Sequence, residues 1–168
     1  GRKISSTLWL QRQLNDPYVH RAKQEGYRSR AAYKLLEIDD KYKFLKPGKI
    51  VLDLGAAPGG WTQAAVARTK SSHSEPHVIA ADILPMDHVP GAVVLHLDFS
   101  KDEAPAQLRK LLPKGADIVL SDMAPNTIGH KATDHLRIMA LLHPLERMNS
   151  ACHAFAISYA ALAAHFDF

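Results

Sequence analysis

The sequence contains a single cysteine, Cys152, among its 168 residues. One cysteine excludes an internal disulfide and a zinc site built on paired cysteines, and it fits a reducing compartment. Long apolar runs are also absent, since no stretch approaches the roughly 20 residues that a membrane-spanning helix needs. No signal-peptide pattern is present. The sequence therefore predicts neither a disulfide-stabilised secreted domain nor a membrane partner.

Charge is unevenly distributed along a chain of otherwise ordinary composition. Apolar residues make up 46% of the sequence and charged residues 23%, which at this length predicts one globular domain. The net charge is +4, yet residues 1–49 contain 12 Lys or Arg against 5 Asp or Glu, and the remainder contains 9 against 12. A basic first part is typical of nucleic-acid binding. Solvated charged helices would give the same balance, and charge alone does not decide between them.

The first part of the sequence predicts helices. Residues 5–27 contain two short helical segments, in which Asp16 and the proline after it form an N-cap and a first turn. Gly26 is a predicted helix stop. A third helix is predicted to begin at Ser29, its N-cap. We assign residues 1–48 to a basic helical extension.

A strand that turns through glycines into a helix lies at the centre of the sequence. Ile50–Leu54 is a short apolar run, typical of a strand covered on both faces. Gly55 and the Gly59-Gly60 pair allow a tight turn and a close approach of backbone to ligand, and Pro58 suits the first turn of the helix. Such a turn borders the crevice where nucleotide-like ligands bind. A simple tight turn is the alternative.

Strands and helices alternate after this point. The predicted helices are 59–68 and 105–112, and the predicted strands are 77–82, 92–98 and 116–122. This alternation is typical of a parallel, doubly wound α/β sheet. We assign residues 49–143 to this core.

An acidic residue stands at or near the end of each predicted strand: Asp53, Asp82, Asp98 and Asp122. Because the carboxyl ends of parallel strands share one edge of the sheet, these carboxylates are expected to line one crevice. Mutual repulsion makes such a cluster costly unless a ligand or cation uses it. Each acid taken alone can be a helix cap or turn residue.

The crevice suits S-adenosylmethionine better than a dinucleotide. The dinucleotide motif G-x-G-x-x-G requires a glycine where Ala57 stands, and the Lys-Ser/Thr of a phosphate-binding loop is absent. S-adenosylmethionine carries ribose hydroxyls, an amino group and a positive sulfonium. An acid at the second strand tip can accept from both ribose hydroxyls, and an acid at the third can lie near the adenine amino group. S-adenosylmethionine is therefore the predicted cofactor, with no metal.

Six groups of residues together carry a resemblance to a known family. They are Trp9-Leu10, Arg28-Ser29-Arg30-Ala31 with Lys34-Leu35, the run from Asp53 to Trp61, Asp82-Ile83-Leu84-Pro85-Met86, Asp98-Phe99 and Ser121-Asp122-Met123-Ala124-Pro125-Asn126. Over residues 5–142 the chain resembles the FtsJ/RrmJ family, the ribosomal RNA large subunit methyltransferase E enzymes. The resemblance implies a Rossmann-like S-adenosylmethionine-dependent methyltransferase fold and 2′-O-methylation of a uridine in 23S rRNA of the large ribosomal subunit. It also implies a monomer in the bacterial cytoplasm, or in mitochondria for a eukaryotic source.

The resemblance implies roles for particular residues. Lys34 and Asp122 match the first two members of the family's Lys-Asp-Lys-Glu catalytic tetrad. Arg28 and Arg30 are assigned to RNA phosphates, with a solvated helix start as the alternative. The family's cofactor-binding positions are matched by Gly59, Trp61, Asp82, Asp98 and Asp122.

Several of these residues also have an ordinary structural interpretation. Lys34 by itself is an exposed helix lysine, and Trp61 can be core packing. Tyr27 and Tyr33 can stack on an unpaired base or pack against the sheet. The residues alone leave these alternatives open.

The resemblance ends abruptly near His143. The family continues with a Pro-Gly-Gly turn, a strand carrying the second catalytic lysine, two further strands and the glutamate. Here the last lysine is Lys131, and Glu146 is the only later glutamate. We assign residues 144–168 to an altered or truncated tail that forms a helix or one further strand.

Two functional expectations follow from this tail. The fourth strand is expected to present an open apolar edge. The chain is expected to bind S-adenosylmethionine weakly and to methylate rRNA poorly or not at all. The alternative function is a non-catalytic RNA- or ribosome-binding remnant of such an enzyme.

Overall fold

The computed structural model describes residues 16–98 and 101–121, and the backbone of residues 156–158. In chain order the described helices and strands are α1 Pro17–Gln24, α2 Ala31–Tyr42, β1 Val51–Leu54, α3 Gly60–Thr69, β2 Val78–Asp82, β3 Ala92–His96, α4 Ala104–Leu111, β4 Ile118–Ser121 and β5 Ala156–Ser158. The predicted alternation is confirmed. Within the described ranges, no helix has both the length and the apolar character needed to cross a bilayer.

The strands form one five-stranded sheet in the order β3-β2-β1-β4-β5. Every neighbouring pair is parallel. The chain moves outward from β1 to β2 and β3, and then returns to the other side of β1 as β4. The predicted doubly wound α/β fold is therefore confirmed, with a change of direction between β1 and β4. In open α/β sheets ligands bind beside such a switch point, at the carboxyl ends of the strands.

Both faces of the sheet are covered, which explains why β1 is apolar along its length. Val51 belongs to the core cluster shared with α2 and α3, whereas Leu52 and Leu54 belong to the cluster shared with α4. All four residues of β1 are buried. Successive side chains of a strand point to opposite faces. A strand between two helical layers must therefore be apolar on both sides, except at Asp53.

The helix termini match the sequence in one case and differ in another. The Asp16 side chain accepts a hydrogen bond from the Tyr18 backbone N–H at 2.8 Å, so the predicted N-cap is confirmed. The prediction that Ser29 caps the next helix was wrong. The N-cap is Arg30, which has helical φ and ψ and makes no side-chain cap. Ser29 instead packs against Gly60 of α3, so helix packing replaces the local cap.

Two other predicted boundaries shift. Pro58 does not lie in the first turn of its helix, because Gly59 is the N-cap and α3 begins at Gly60. The third strand ends at His96 rather than at Asp98. Asp98 therefore lies two residues beyond β3. Despite these shifts, the glycine turn and Asp98 remain at the same edge of the sheet.

The tail contributes a strand to the sheet. Residues 156–158 form β5, in which Ala156, Ile157 and Ser158 lie opposite Val119, Leu120 and Ser121 of β4. The helix-or-strand alternative is thus resolved for these residues in favour of a strand. The expected open edge on the fourth strand was wrong, because β4 pairs with β1 on one side and with β5 on the other.

An ion-pair network fixes the end of α2 against α3. Arg68 contacts the carboxylates of Asp39 at 3.3 Å and Asp40 at 2.7 Å. Asp39 is 2% exposed and also accepts the Leu45 backbone N–H at 2.8 Å. The hydrogen bond from Arg68 lowers the pKa of the Asp40 carboxyl. The helix that carries Lys34 is therefore held in a fixed position beside α3.

Candidate cofactor and active site

The glycine turn joins the carboxyl end of β1 to the start of α3. Gly55 has φ +72° and Gly59 has φ +110°, conformations that favour glycine. The Gly55 N–H donates to the Ala81 carbonyl at 2.9 Å, which ties the turn to the end of β2. The first N–H groups of α3 have no intrahelical partner by helix geometry. This turn therefore presents backbone donors beside the switch point of the sheet.

Asp82 holds the turn from the neighbouring strand. It is the last residue of β2 and is 7% exposed. One carboxylate oxygen accepts the Ala57 N–H at 2.8 Å, and the other accepts the Leu84 N–H at 2.8 Å. An ionised carboxylate oxygen has two acceptor positions. Asp82 therefore organises two loops and still has acceptor capacity for a ligand.

Asp53 has a structural role within this edge of the sheet. It is 1% exposed, and one of its carboxylate oxygens accepts the Thr62 hydroxyl at 2.7 Å. Thr62 lies in the first turn of α3, where the helix dipole favours a negative group. Asp53 is thus part of the buried connection between β1 and α3 and does not face an open crevice.

The other two acids predicted at this edge of the sheet are Asp98, which the structure describes, and Asp122, which it does not. Asp98 is half-buried just after β3, and its carbonyl accepts the Lys101 N–H at 3.1 Å. The Leu97 N–H donates to the Asp82 carbonyl at 2.8 Å, which ties the chain just before Asp98 to the end of β2. Asp122 follows β4 directly but lies outside the described residues.

The Trp61 side chain lies in the core between α2 and α3. It is 4% exposed and belongs to the cluster that includes Leu35 and Ile38. Its indole N–H donates to the Ala31 carbonyl at 2.8 Å. The core-packing alternative therefore describes the side chain. What Trp61 can offer a ligand is the backbone N–H of the first turn of α3.

Lys34 is carried on the helix that Trp61 contacts. It is the fourth residue of α2 and is half-buried. Residues three apart on a helix are neighbours on its surface, so Lys34 follows Ala31 by one turn. The indole–carbonyl bond therefore fixes the part of α2 from which Lys34 extends.

The two arginines assigned to RNA have different partners in the structure. The Arg28 guanidinium donates to the carbonyls of Pro58, Asp87 and His88 at 3.3, 2.7 and 2.6 Å. Arg30 pairs with the Asp16 carboxylate and is 51% exposed. The assignment of both residues to RNA phosphates remains a prediction.

Tyr33 is buried under other side chains. It is 5% exposed, and its ring lies 5.7 Å from the Tyr18 ring and 5.5 Å from the Tyr27 ring. Arg21 lies over the Tyr33 ring at 4.7 Å, and the Tyr33 hydroxyl donates to Glu25 at 2.9 Å. Burial, followed by this hydrogen bond, raises the Tyr33 pKa. Tyr33 therefore packs against side chains of residues 18–27, and these contacts are not with the sheet.

Comparison with known proteins identifies the family. A family model described as FtsJ-like methyltransferase matches residues 27–154. The chain belongs to the FtsJ-like methyltransferase family. The matched range contains the glycine turn, α2 and every described strand except β5.

Similar proteins carry ribosomal RNA methyltransferase names. The "Ribosomal RNA large subunit methyltransferase E" of Parvibaculum lavamentivorans is 62% identical over 147 residues, covering 83% of this chain and 58% of that protein. The protein of the same name from Mesorhizobium japonicum is 62% identical over 141 residues, covering 84% of this chain and 53% of that protein. The chain thus spans little more than half the length of these curated relatives.

A solved structure shows the same fold. A crystal structure described as a ribosomal RNA methyltransferase from Plasmodium falciparum superimposes with a TM-score of 0.52 at 41% identity. The match covers 68% of this chain and 66% of that chain. Both comparisons agree with the FtsJ/RrmJ resemblance expected from the sequence.

Sequence reasoning missed two residues that build this FtsJ-like site. Gln63 accepts the Arg28 backbone N–H at 2.8 Å and donates to the Gly26 carbonyl at 2.9 Å. Thr62 was missed as the partner of Asp53. Their position in the first turn of a helix after a glycine pair was the available signal. Neither the spacing nor the residue type identified the partners, which lie in other segments.

The close approach of α2 and α3 in this FtsJ-like domain predicts a specific double-mutant effect. A Cβ at Gly60 would lie 2.3 Å from the Ser29 hydroxyl oxygen and 3.3 Å from the Ser29 carbonyl oxygen. We expect Gly60→Ala to lower the free energy of unfolding by about 2 kcal/mol, as overpacking does. Urea unfolding in a Ser29→Ala background should show a loss below about 1 kcal/mol, because the closest atom is gone. Equal losses in both backgrounds would contradict this contact.

Proposed function

We propose that this chain forms the cofactor-binding part of an S-adenosylmethionine-dependent methyltransferase that modifies a uridine 2′-hydroxyl of 23S rRNA. Asp82 carries this proposal. Its carboxylate binds the amides on both sides of the crevice, at 2.8 Å each, and retains acceptor capacity where a ribose would lie. The rRNA substrate is supported by the names of the bacterial relatives, and the cytoplasm is the matching compartment.

The residues present fit S-adenosylmethionine. Asp82 ends β2, and Asp98 lies two residues beyond the neighbouring β3, which suits the recognition of ribose and adenine by acids. Gly59 and the backbone N–H of Trp61 border the crevice without a protruding side chain, and Asp122 follows the adjacent β4. When bound, the cofactor supplies an electrophilic methyl group.

The proposed catalytic residues act on the ribose hydroxyl. Methyl transfer to oxygen is an in-line displacement, so holding the hydroxyl in line supplies much of the acceleration. The hydroxyl must lose its proton, and a lysine accepts a proton only while neutral. We assign orientation to Lys34 and Asp122. The family resemblance implies that the second lysine of the tetrad is the usual candidate for the base, and the 168 residues contain no lysine after Lys131.

A two-step experiment tests this proposal. Titration calorimetry of the 168-residue chain with S-adenosylmethionine should show binding at one site. Transfer of a tritiated methyl group to large ribosomal subunits should be weak, and it should rise when the later strands of the Parvibaculum relative are joined to the chain. Absence of cofactor binding would contradict the proposal, and binding to subunits alone would favour the non-catalytic remnant. Transfer by the 168-residue chain equal to that of the fusion would show that no second lysine is needed.

A further inference from the structure

Arg28 makes a set of contacts that a phosphate-binding surface arginine would not make. Its guanidinium donates to three backbone carbonyls, those of Pro58, Asp87 and His88, at distances of 3.3, 2.7 and 2.6 Å. Arg30, two residues later, pairs with the Asp16 carboxylate and is 51% exposed. Three of the five N–H donors of Arg28 are thus directed to main-chain acceptors.

The three carbonyls belong to two loops that border the cofactor crevice. Pro58 lies in the glycine turn before α3, and Asp87 and His88 lie in the loop that follows Asp82. A Cβ on Gly59 would lie 3.1 Å from Arg28 Nη1 and 3.2 Å from Met86 Sδ. Arg28 therefore lies against the glycine turn. Its hydrogen bonds to the glycine turn and to the loop after β2 hold these two loops at a fixed separation.

The backbone of Arg28 is anchored to α3 as well. The Arg28 N–H donates to Gln63 Oε1 at 2.8 Å, and Gln63 Nε2 donates to the Gly26 carbonyl at 2.9 Å. The segment between these contacts leads directly into α2, which carries Lys34. Arg28 is therefore hydrogen-bonded both to the crevice loops and to α3, and it lies just before the helix that carries the proposed catalytic lysine.

These contacts require the planar fork of arginine. A guanidinium presents donors in several fixed directions, whereas a lysine ammonium is a point charge on a flexible stem. A lysine at this position would keep the positive charge but could not span carbonyls contributed by two loops. The charge and the geometry of Arg28 can thus be separated by one substitution.

We propose that Arg28 is a positioning residue that sets the geometry of the cofactor crevice by joining the glycine turn, the loop after β2 and the start of α2. This inference rests on the proposed cofactor function of the site. Gln63 contributes to the same positioning, because its hydrogen bonds fix the backbone of the segment that carries Arg28. The consequence is that cofactor affinity depends on two side chains that need not touch the cofactor.

Cofactor binding by four variants of the 168-residue chain tests this inference. Arg28→Lys should weaken S-adenosylmethionine binding about tenfold, because the charge is kept but the fork is lost. Gln63→Ala should weaken it several-fold without any change of charge. Arg109→Lys, an exposed arginine on α4, should leave the dissociation constant unchanged. Asp39→Asn should lower the melting temperature but leave the dissociation constant for S-adenosylmethionine unchanged. This variant separates positioning from general stability.

The outcomes are distinguishable. Calorimetry is performed below the melting temperature of every variant, and Gln63→Ala carries the test if Arg28→Lys does not fold. Equal cofactor affinity for Arg28→Lys, Gln63→Ala and the unchanged chain would overturn the inference and leave the proposed function intact. A lower salt dependence of RNA binding in an additional Arg28→Ala variant, which removes the charge, together with unchanged cofactor affinity in Arg28→Lys, would overturn it in favour of a phosphate contact. No cofactor binding by the unchanged chain would overturn the proposed function, and the inference with it.

Discussion

Replacing Asp82 with alanine is expected to weaken S-adenosylmethionine binding about 100-fold. The substitution removes the acceptor for the N–H groups of Ala57 and Leu84, so both loops of the crevice lose their common anchor. It also removes the carboxylate proposed to accept the ribose hydroxyls. A hydrogen bond to a charged group contributes about 1.5–3 kcal/mol, and about 2.7 kcal/mol corresponds to a 100-fold change. Titration calorimetry of the folded variant measures the loss.

Asp117 provides a matched control for Asp82. Its carboxylate also accepts a backbone N–H, that of Ile50 at 2.9 Å, and it pairs with Lys49 at 3.2 Å. It lies before β4, at the opposite edge of the sheet from the crevice. We expect Asp117→Ala to reduce stability while leaving the cofactor dissociation constant unchanged. Similar losses of affinity in both variants would mean that Asp82 acts only through overall stability.

The largest stability effect is expected from Gly91→Ala. Gly91 has φ +85°, and a Cβ there would lie 2.7 Å from the Ser71 carbonyl oxygen and 2.8 Å from Val66 Cγ1. The left-handed conformation costs a non-glycine residue about 1–2 kcal/mol, and overpacking adds about 1–3 kcal/mol. We expect the free energy of unfolding to fall by about 3 kcal/mol, measured from the urea midpoint and slope. Because Ser71 also donates to the Gly91 carbonyl at 2.6 Å, the backbone on both sides is held and cannot relax easily.

A variant at Gly48 separates the conformational strain from the overpacking expected at Gly91. It has a similar φ of +79°, but a Cβ there meets no atom within 4 Å. Gly48→Ala should therefore cost only the conformational strain, about 1 kcal/mol. Equal losses for the two alanine variants would show that steric contact with Ser71 and Val66 contributes nothing.

Local signals in the sequence were sufficient for much of this fold. The N-cap at Asp16 depends on a hydrogen bond two residues away, so the dipeptide with the following proline predicted it. The apolar run of β1 predicted a strand covered on both faces, and all four residues of β1 are buried. Gly55 and Gly59 occupy the left-handed conformations that the turn requires. The acid at the end of β2 was likewise a positional signal, because parallel strands bring their carboxyl ends together.

The pairing of the tail was decided only by the sheet. The sequence of residues 156–158 allowed a helix or a strand, and its short apolar composition did not distinguish them. The edge of β4 offers unpaired backbone groups, and β5 satisfies them with a parallel register. A single strand has no stable conformation of its own, so its formation depends on the neighbour it pairs with.

The sequence by itself determined the succession of helices and strands along the chain as far as β4, the glycine turn and the acid at the end of β2, because each depends on residues close together in the chain. Only the tertiary structure decided what Arg28, Ser29 and Trp61 contact. Arg28 meets the carbonyl of a residue 60 positions away, and Trp61 one that is 30 positions away. A guanidinium can donate to a phosphate or to a carbonyl, so its partner is fixed by which groups the fold brings within reach.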